Sequence, residues 1–235
     1  MSAAEAAQTA VVAGATNASG VALTRLLVEG GYGVVAVGSD AGRLDAAFGG
    51  FDGVDRQVCD LTDESAVAAL AERVRADHGG AHALFHLVGG WRGGKGITTQ
   101  TTSDYDALHR SVFLTLFNTS RAFYDQLAAR NGRLAAVSAT AVAAPTAGNA
   151  SYAAVKASVD AWLQAVADGF AKDGTSAAAT AVVVKALVDD AMRAQQPERT
   201  FPGFTHVDEL ARILASLPGR PAPEINGARI DAVRG

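Results

Sequence analysis

The feature that most narrows the fold is an alternation, repeated along almost the whole chain, of short β-rich runs with longer stretches of helical periodicity. Residues 9–13, 33–37, 54–58, 83–88, 133–137 and 179–184 read as strands, and 228–233 as a last one. Apart from 54–58, whose middle is polar, the first six are apolar on both faces, as strands are when a parallel sheet is covered by helices on each side. Between them, 19–30 carries Val21, Leu23, Leu26 and Leu27 on overlapping helical faces, and 152–170 forms another helix. Thr62 is placed to cap a helix with Asp63 and Glu64 in its first turn, where acids suit the N-terminal dipole. Ser103-x-x-Asp106 opens a helix whose stripe runs through Leu108, Val112, Leu116 and Phe123, and Thr205-x-x-Asp208 starts a short late one. Alternation of this kind predicts right-handed crossovers and a single α/β domain, a doubly wound parallel sheet of about seven strands with helices on both faces.

Composition agrees with that architecture and removes several function classes. The 235 residues are 49% hydrophobic and 19% charged, enough apolar material for one substantial core. A net charge of −4 without a long basic run argues against nucleic acid or an anionic membrane as partner. The apolar runs are too short to span a bilayer, and Met1 to Gln8 is Ala-rich without the cationic flank of a signal peptide. The lone cysteine, Cys59, fits a reducing, cytoplasmic compartment. His78, His82, His109 and His206 lack metal-ligand spacing, so no metal site is indicated.

Residues 9–20, TAVVAGATNASG, carry the first chemical signal. A buried strand runs into Gly14, and Gly14-x-x-x-Ala18-x-Gly20 leads straight into a helix. Small residues let the backbone approach a pyrophosphate, and the helix N-terminus offers free N–H groups to the anion, so the turn reads as a Rossmann-type dinucleotide-phosphate cradle, with a tight βα turn that holds no ligand as the alternative. Gly14, Thr16, Asn17, Ala18, Ser19 and Gly20 are the expected cradle. Asp60, at the end of the third strand, is placed either to accept from an adenine amino group or to cap the next helix. Gly38, at the end of the second strand, cannot offer the acid that selects NAD, whereas Ser39 and Arg43 can meet a 2′-phosphate. Asp40 opposes that phosphate, and the balance leans to NADP over NAD.

Tyr152-Ala-Ala-Val-Lys156 is the second signal, a phenol and an ammonium on one helical face. A nearby cation favours phenolate, so such a tyrosine can exchange a proton with an alcohol or carbonyl while a nicotinamide handles hydride.

These pieces together resemble the short-chain dehydrogenase/reductase family over nearly the full length. Gly14-x-x-x-Ala18-x-Gly20, Asp60-Leu61, the Val88-Gly89 turn, Gly132-Arg133-Leu134, Tyr152-x-x-x-Lys156 and Ile225-Asn226-Gly227 carry the similarity. The resemblance implies an NAD(P)-dependent oxidoreductase acting on a small-molecule substrate and assembled as a homodimer or homotetramer. Its helices near 103–130 and 152–170 would form the contacts. It also implies Tyr152 as acid/base, Lys156 on the nicotinamide ribose lowering the tyrosine pKa, and Asp60, Leu61, Val88 and Gly89 around the cofactor.

The departures fall on the substrate side. Thirteen residues before Tyr152, where the family has a serine, stands Ala139, flanked by Ser138 and Thr140. Ser138 is the candidate hydroxyl, although neighbouring strand positions face opposite ways and the strand end must twist for either flank to reach. Val112 stands where an asparagine supports a proton-relay water, and the Asn-Asn-Ala-Gly turn reads His86-Leu87-Val88-Gly89. His86 reads as a satisfied structural histidine, with an acid/base role as the alternative. The Pro-Gly after strand six is replaced around Val184-Lys185, and Asp189 falls where a threonine touches the cofactor. Trp91 and residues 89–96 could line a substrate mouth, Trp162 reads as helix packing, and residues 190–204 resemble a mobile lid. Two further readings stay open: binding of a nucleotide or metabolite without redox turnover, and a non-redox isomerase or lyase using Tyr152.

Overall fold

The computed structural model describes residues 8–233. The Ala-rich segment read for a leader thus lies, except for Gln8, outside the described residues. The expected strands form as β1 (Thr9–Ala13), β2 (Gly33–Gly38), β3 (Val54–Val58), β4 (Ala83–His86), β5 (Arg133–Ala139) and β6 (Ala178–Val184). Two short strands follow, β7 (Leu187–Val188) and β8 (Thr205–His206), and then β9 (Arg229–Asp231). The sheet is parallel and seven-stranded in the order β3-β2-β1-β4-β5-β6-β9, while β7 and β8 pair separately.

Nine α-helices are present among the described residues: α1 (Ala18–Glu29), α2 (Ala41–Phe48), α3 (Glu64–His78), α4 (Thr102–Leu108), α5 (Thr115–Ala129), α6 (Ala150–Lys172), α7 (Asp190–Gln195), α8 (Val207–Ser216) and α9 (Ala222–Ile225). Successive strand residues point to opposite faces. Val11, Val35, Leu84 and Leu134 join the core under α3, α5 and α6, whereas Val12, Ala36, Phe85 and Ala135 join the one under α1, α2 and α8. Buried side chains of this size, such as Phe85, Phe123 and Leu23, stabilise by about 1.5–3 kcal/mol each. No described helix is long and apolar enough to cross a membrane.

Several boundaries move for local reasons. Thr62 does not cap α3. Asp63 does, with Oδ1 accepting from the Ser65 and Ala66 amides, because the Thr62 amide and hydroxyl both bond Asp60 Oδ1. The helix expected from Ser103 opens two residues earlier, since Thr101 and Asp104 form the same pattern: the Asp104 amide donates to Thr101 Oγ1, and that hydroxyl donates back to Asp104 Oδ2. His206 rather than Thr205 caps α8, because Thr205 is fully buried and its hydroxyl donates to the Ala232 carbonyl. β4 stops at His86, short of Val88, where the Leu87 carbonyl turns to accept from Asn17 Nδ2. Residues 190–204, the segment that resembles a lid, contain the short α7.

One polar cluster lies inside this apolar frame. His86, at the end of β4, is 2% exposed, with Nε2 3.1 Å from Thr115 Oγ1 and Nδ1 3.2 Å from Thr119 Oγ1. A neutral imidazole has one N–H to donate to a threonine oxygen, and both hydroxyls also donate to carbonyls four residues back, Thr115 to Ser111 and Thr119 to Thr115. Burial, with the Lys156 charge adding to it, pushes the His86 pKa down to about 3. The structural reading of this residue is therefore the one the packing favours. In the unfolded chain His86 regains its ordinary pKa near 6.5, so the unfolded state binds the extra proton and stability drops as pH falls from about 6.5 toward 3. Urea unfolding at pH 7 and pH 5 should differ by about 2 kcal/mol on this account, and His86→Gln should flatten that slope. Equal losses in both proteins would remove His86 as the source.

Candidate active site

The sheet order places a topological switch between β1 and β4, where helices leave in opposite directions and open a crevice at the strand ends. The β1–α1 turn forms its floor. Gly14 has φ +81°, and a Cβ there would lie 2.9 Å from the Val88 amide nitrogen, so only glycine allows the turn to touch the segment after β4. A Cβ on Gly20 would meet the Gly14 and Ala15 carbonyl oxygens at 2.5 Å, which seats the first turn of α1 directly on the loop. Asn17 fixes both: Oδ1 accepts from the Gly20 amide at 2.8 Å, and Nδ2 donates to the Leu87 carbonyl at 2.9 Å. The Val21 amide bonds the Asn17 carbonyl, while the Ala18 and Ser19 amides have no partner among the described residues. Two free N–H groups at the positive end of a helix, behind a turn without side-chain bulk, fit a pyrophosphate.

Above that floor lies a cleft of about 620 Å³. Its walls bring together Asn17, Ala18 and Ser19 with Val88, Gly89, Tyr152 and Lys156, which are seven of the residues expected from the sequence. Gly14 and Gly20 lie behind this wall as close-packing positions. The other cofactor candidates stand outside it. Thr16 lines a separate groove beside α1. Leu61 is buried, and its carbonyl accepts from Asn118 Nδ2. Ser39, Arg43 and Asp60 are exposed at the ends of β2 and β3. Arg43 donates from Nη2 to Ser39 Oγ at 3.3 Å and approaches Asp40 Oδ1 at 3.9 Å. A side chain on Gly38 would crowd Thr16 Cγ2 and Leu44 at 3.3 Å.

Ser138 is the clear correction. It is fully buried, its Oγ has no hydrogen-bond partner, and it is not part of the cleft. The reason is strand parity: Leu134 and Ala136 face the core under α5 and α6, and Ser138 shares their side of β5. The chain leaves β5 at Ala139 and enters a short helical turn, Thr140–Val142, which carries Thr140 into the cleft wall. Thr140 is thus the hydroxyl nearest the serine's place in sequence that shares a cavity with Tyr152. Counting parity back from Leu134 is the signal that could have told it from Ser138.

The electrostatics of the pair also differ from expectation. Burial raises the Tyr152 pKa above its ordinary value, and no cation offsets it. Lys156 Nζ lies 5.9 Å from the centre of the phenol ring and donates to the Val137 carbonyl at 2.7 Å. Burial lowers the Lys156 pKa to about 8. Burial outweighs any help from this ammonium, which is drawn toward a strand carbonyl, so Tyr152 holds its proton at neutral pH.

The remaining departures have structural explanations. Val112 is 1% exposed and sits in a π-helical stretch, His109–Leu114, between α4 and α5. Asp189 lines the cleft, but its Oδ1 accepts from the Met192 amide at 2.7 Å and caps α7. Lys185 Nζ donates to the Pro202 carbonyl at 2.9 Å. Trp91 lines the mouth at 67% exposure, and Trp162 packs between helices with Nε1 donating to Ser120 Oγ.

Comparison with known proteins addresses the fold and the family. No curated protein sequence matches the chain significantly. Among solved structures, a short chain oxidoreductase of Pseudomonas aeruginosa PAO1, described as containing an atypical catalytic center, is 22% identical with a TM-score of 0.84, over 97% of this chain and 96% of that one. An NAD+-bound xylitol dehydrogenase is 19% identical with a TM-score of 0.85, over 98% and 100%. ElxO with NADP bound is 14% identical with a TM-score of 0.86, over 96% and 97%. Identities this low establish a shared single-domain Rossmann fold. The sequence profile described as short chain dehydrogenase matches residues 8–199, most of the length, and so this chain belongs to the short chain dehydrogenase family.

Proposed function

We propose that the chain is an NAD(P)-dependent oxidoreductase that reduces a carbonyl to an alcohol on a small, partly apolar substrate. The observation that carries this reading is the meeting of Tyr152, Lys156 and Thr140 with the Asn17–Ser19 backbone in one cleft. A bound nicotinamide would supply the hydride there. Tyr152, protonated because of its burial, donates to the carbonyl oxygen as charge develops on it. Thr140 Oγ1 donates a second hydrogen bond to that oxygen, the task Ser138 cannot perform from the core. Lys156 Nζ has donors beyond its bond to Val137 and lies beside Gly89, where it would hold the nicotinamide ribose. Leu87, Val137, Leu187 and Met192 supply apolar walls, and residues 190–204 act as a lid that excludes water.

Ser39 and Arg43 would receive a 2′-phosphate, and Asp60 the adenine edge. The chain works as a homodimer or homotetramer through α5 and α6, measurable by light scattering, in the cytoplasm. Binding without turnover is the second reading, favoured by the burial of Val112 and Ser138. It holds if NADPH binds but is not oxidised with any carbonyl of a broad panel.

Thr140→Val and Tyr152→Phe should each lower kcat by about 10²–10³, the usual effect of removing one oxyanion donor. Ser138→Ala should leave kcat near wild type and stability equal or higher, since it removes an unsatisfied buried hydroxyl. Steady-state kinetics with NADPH and a carbonyl panel decide this, and a Ser138→Ala loss as deep as that of Thr140→Val would overturn the assignment. Arg43→Ala should weaken NADPH about tenfold or more while leaving NADH unchanged, by fluorescence titration, because a hydrogen bond to a charged group contributes about 1.5–3 kcal/mol.

A further inference from the structure

We propose that Gln100 is a positioning residue that ties the substrate mouth to the helix carrying Tyr152. The first two turns of α6 hold Tyr152 and Lys156, yet its N-cap residue, Asn149, makes no side-chain cap to the helix. Asn149 Oδ1 instead accepts from the Thr146 amide at 2.8 Å. The capping acceptor comes from far along the chain: Gln100 Oε1 accepts from the Ser151 amide at 3.3 Å. An unsatisfied first-turn amide is the usual weak point of a helix start, and here a residue from another loop covers it.

The amide nitrogen of the same side chain points the other way. Gln100 Nε2 donates to the Ala147 and Gly148 carbonyls at 3.2 and 3.3 Å, and to the Gly96 carbonyl at 3.3 Å. Backbone contact reinforces the link, because the Gly94 amide donates to the Gly148 carbonyl at 2.8 Å. A Cβ on Gly148 would lie 2.9 Å from the Gly94 carbonyl oxygen, and one on Gly93 would lie 2.9 Å from the Gly148 carbonyl oxygen. Two glycine backbones therefore cross without side chains between them. One strand of the crossing continues from Gly90 and Trp91 at the cleft mouth, and the other leads into Asn149 and Tyr152 in its wall.

Gln100 thus has two separable halves. Its oxygen seats the helix that aims the phenol, and its nitrogen holds the mouth loop against the turn before that helix. A substrate that orders residues 90–96 pulls on the same side chain that fixes the start of α6. The claim rests on Tyr152 as the acid/base group, but the hydrogen-bond geometry is independent of it.

The two halves can be cut separately. Gln100→Glu keeps an oxygen for the Ser151 amide and loses every donor, whereas Gln100→Ala loses both. Hydrogen exchange followed by mass spectrometry on the protein without coenzyme is the first readout. Amides of 93–99 should lose protection about tenfold in both variants, and amides of 150–156 only in Gln100→Ala. In NADPH oxidation with a carbonyl that wild type turns over, Gln100→Glu should raise KM about tenfold with a smaller change in kcat, and Gln100→Ala should lower kcat as well. Unchanged exchange at 150–156 in Gln100→Ala overturns the proposal, as does an equal fall in kcat and rise in KM in both variants that tracks Tm. If Tyr152→Phe turns over like wild type, the functional reading fails instead, and the exchange pattern still decides the coupling.

Discussion

The contact between the β1–α1 turn and the segment after β4 is the constraint on which the rest of the molecule depends. Gly14 lies against the Leu87 and Val88 backbone with no room for a Cβ, and Asn17 joins the Gly20 amide to the Leu87 carbonyl. That closure ends β4 at His86, directs Val88 and Gly89 into the cleft, and leaves the Ala18 and Ser19 amides free at the positive end of α1. Because β1 and β4 are neighbours in the middle of the sheet, every other wall of the site is positioned relative to this junction.

On the far side of the cleft, the departures from the family pattern form a coherent set. The hydroxyl that faces the cavity belongs to Thr140, one position beyond the strand end at Ala139, and Ser138 is left in the core without a partner. Val112 fills a buried place in the π-helical stretch beside α6. His86 is occupied by Thr115 and Thr119 and is kept neutral by burial. The Tyr152 side of the cleft thus has packing where the family pattern has polar groups, while the β1–α1 turn keeps a backbone geometry that fits a pyrophosphate.

Burial governs the chemistry of the remaining pair. A nearby ammonium favours phenolate, whereas burial of the phenol disfavours it. Here Lys156 is drawn to the Val137 carbonyl with its pKa lowered to about 8, and the Tyr152 pKa is raised. A protonated phenol suits donation to a carbonyl oxygen, the role proposed for it here.

The sequence by itself determined the sheet, because apolar runs separated by helical periods leave few ways to bury both strand faces. It also determined the glycine turn between β1 and α1 and the placing of Tyr152 and Lys156 on one helix, since a glycine cluster between a strand and a helix, and residues four apart on a helix, are local patterns. Helix starts were legible only to within a residue or two: Thr101 and Ser103 both begin an acceptable capping pattern, and hydrogen bonding chose between them. Only the tertiary structure decided which hydroxyl faces the cavity, how deeply Tyr152 and Lys156 are buried, and that Gln100 caps a helix beginning fifty residues later. Those outcomes depend on where a strand ends, how deeply a side chain is buried, and which distant loop meets a helix start. Such properties belong to contacts between segments far apart in the chain, and no local pattern encodes them.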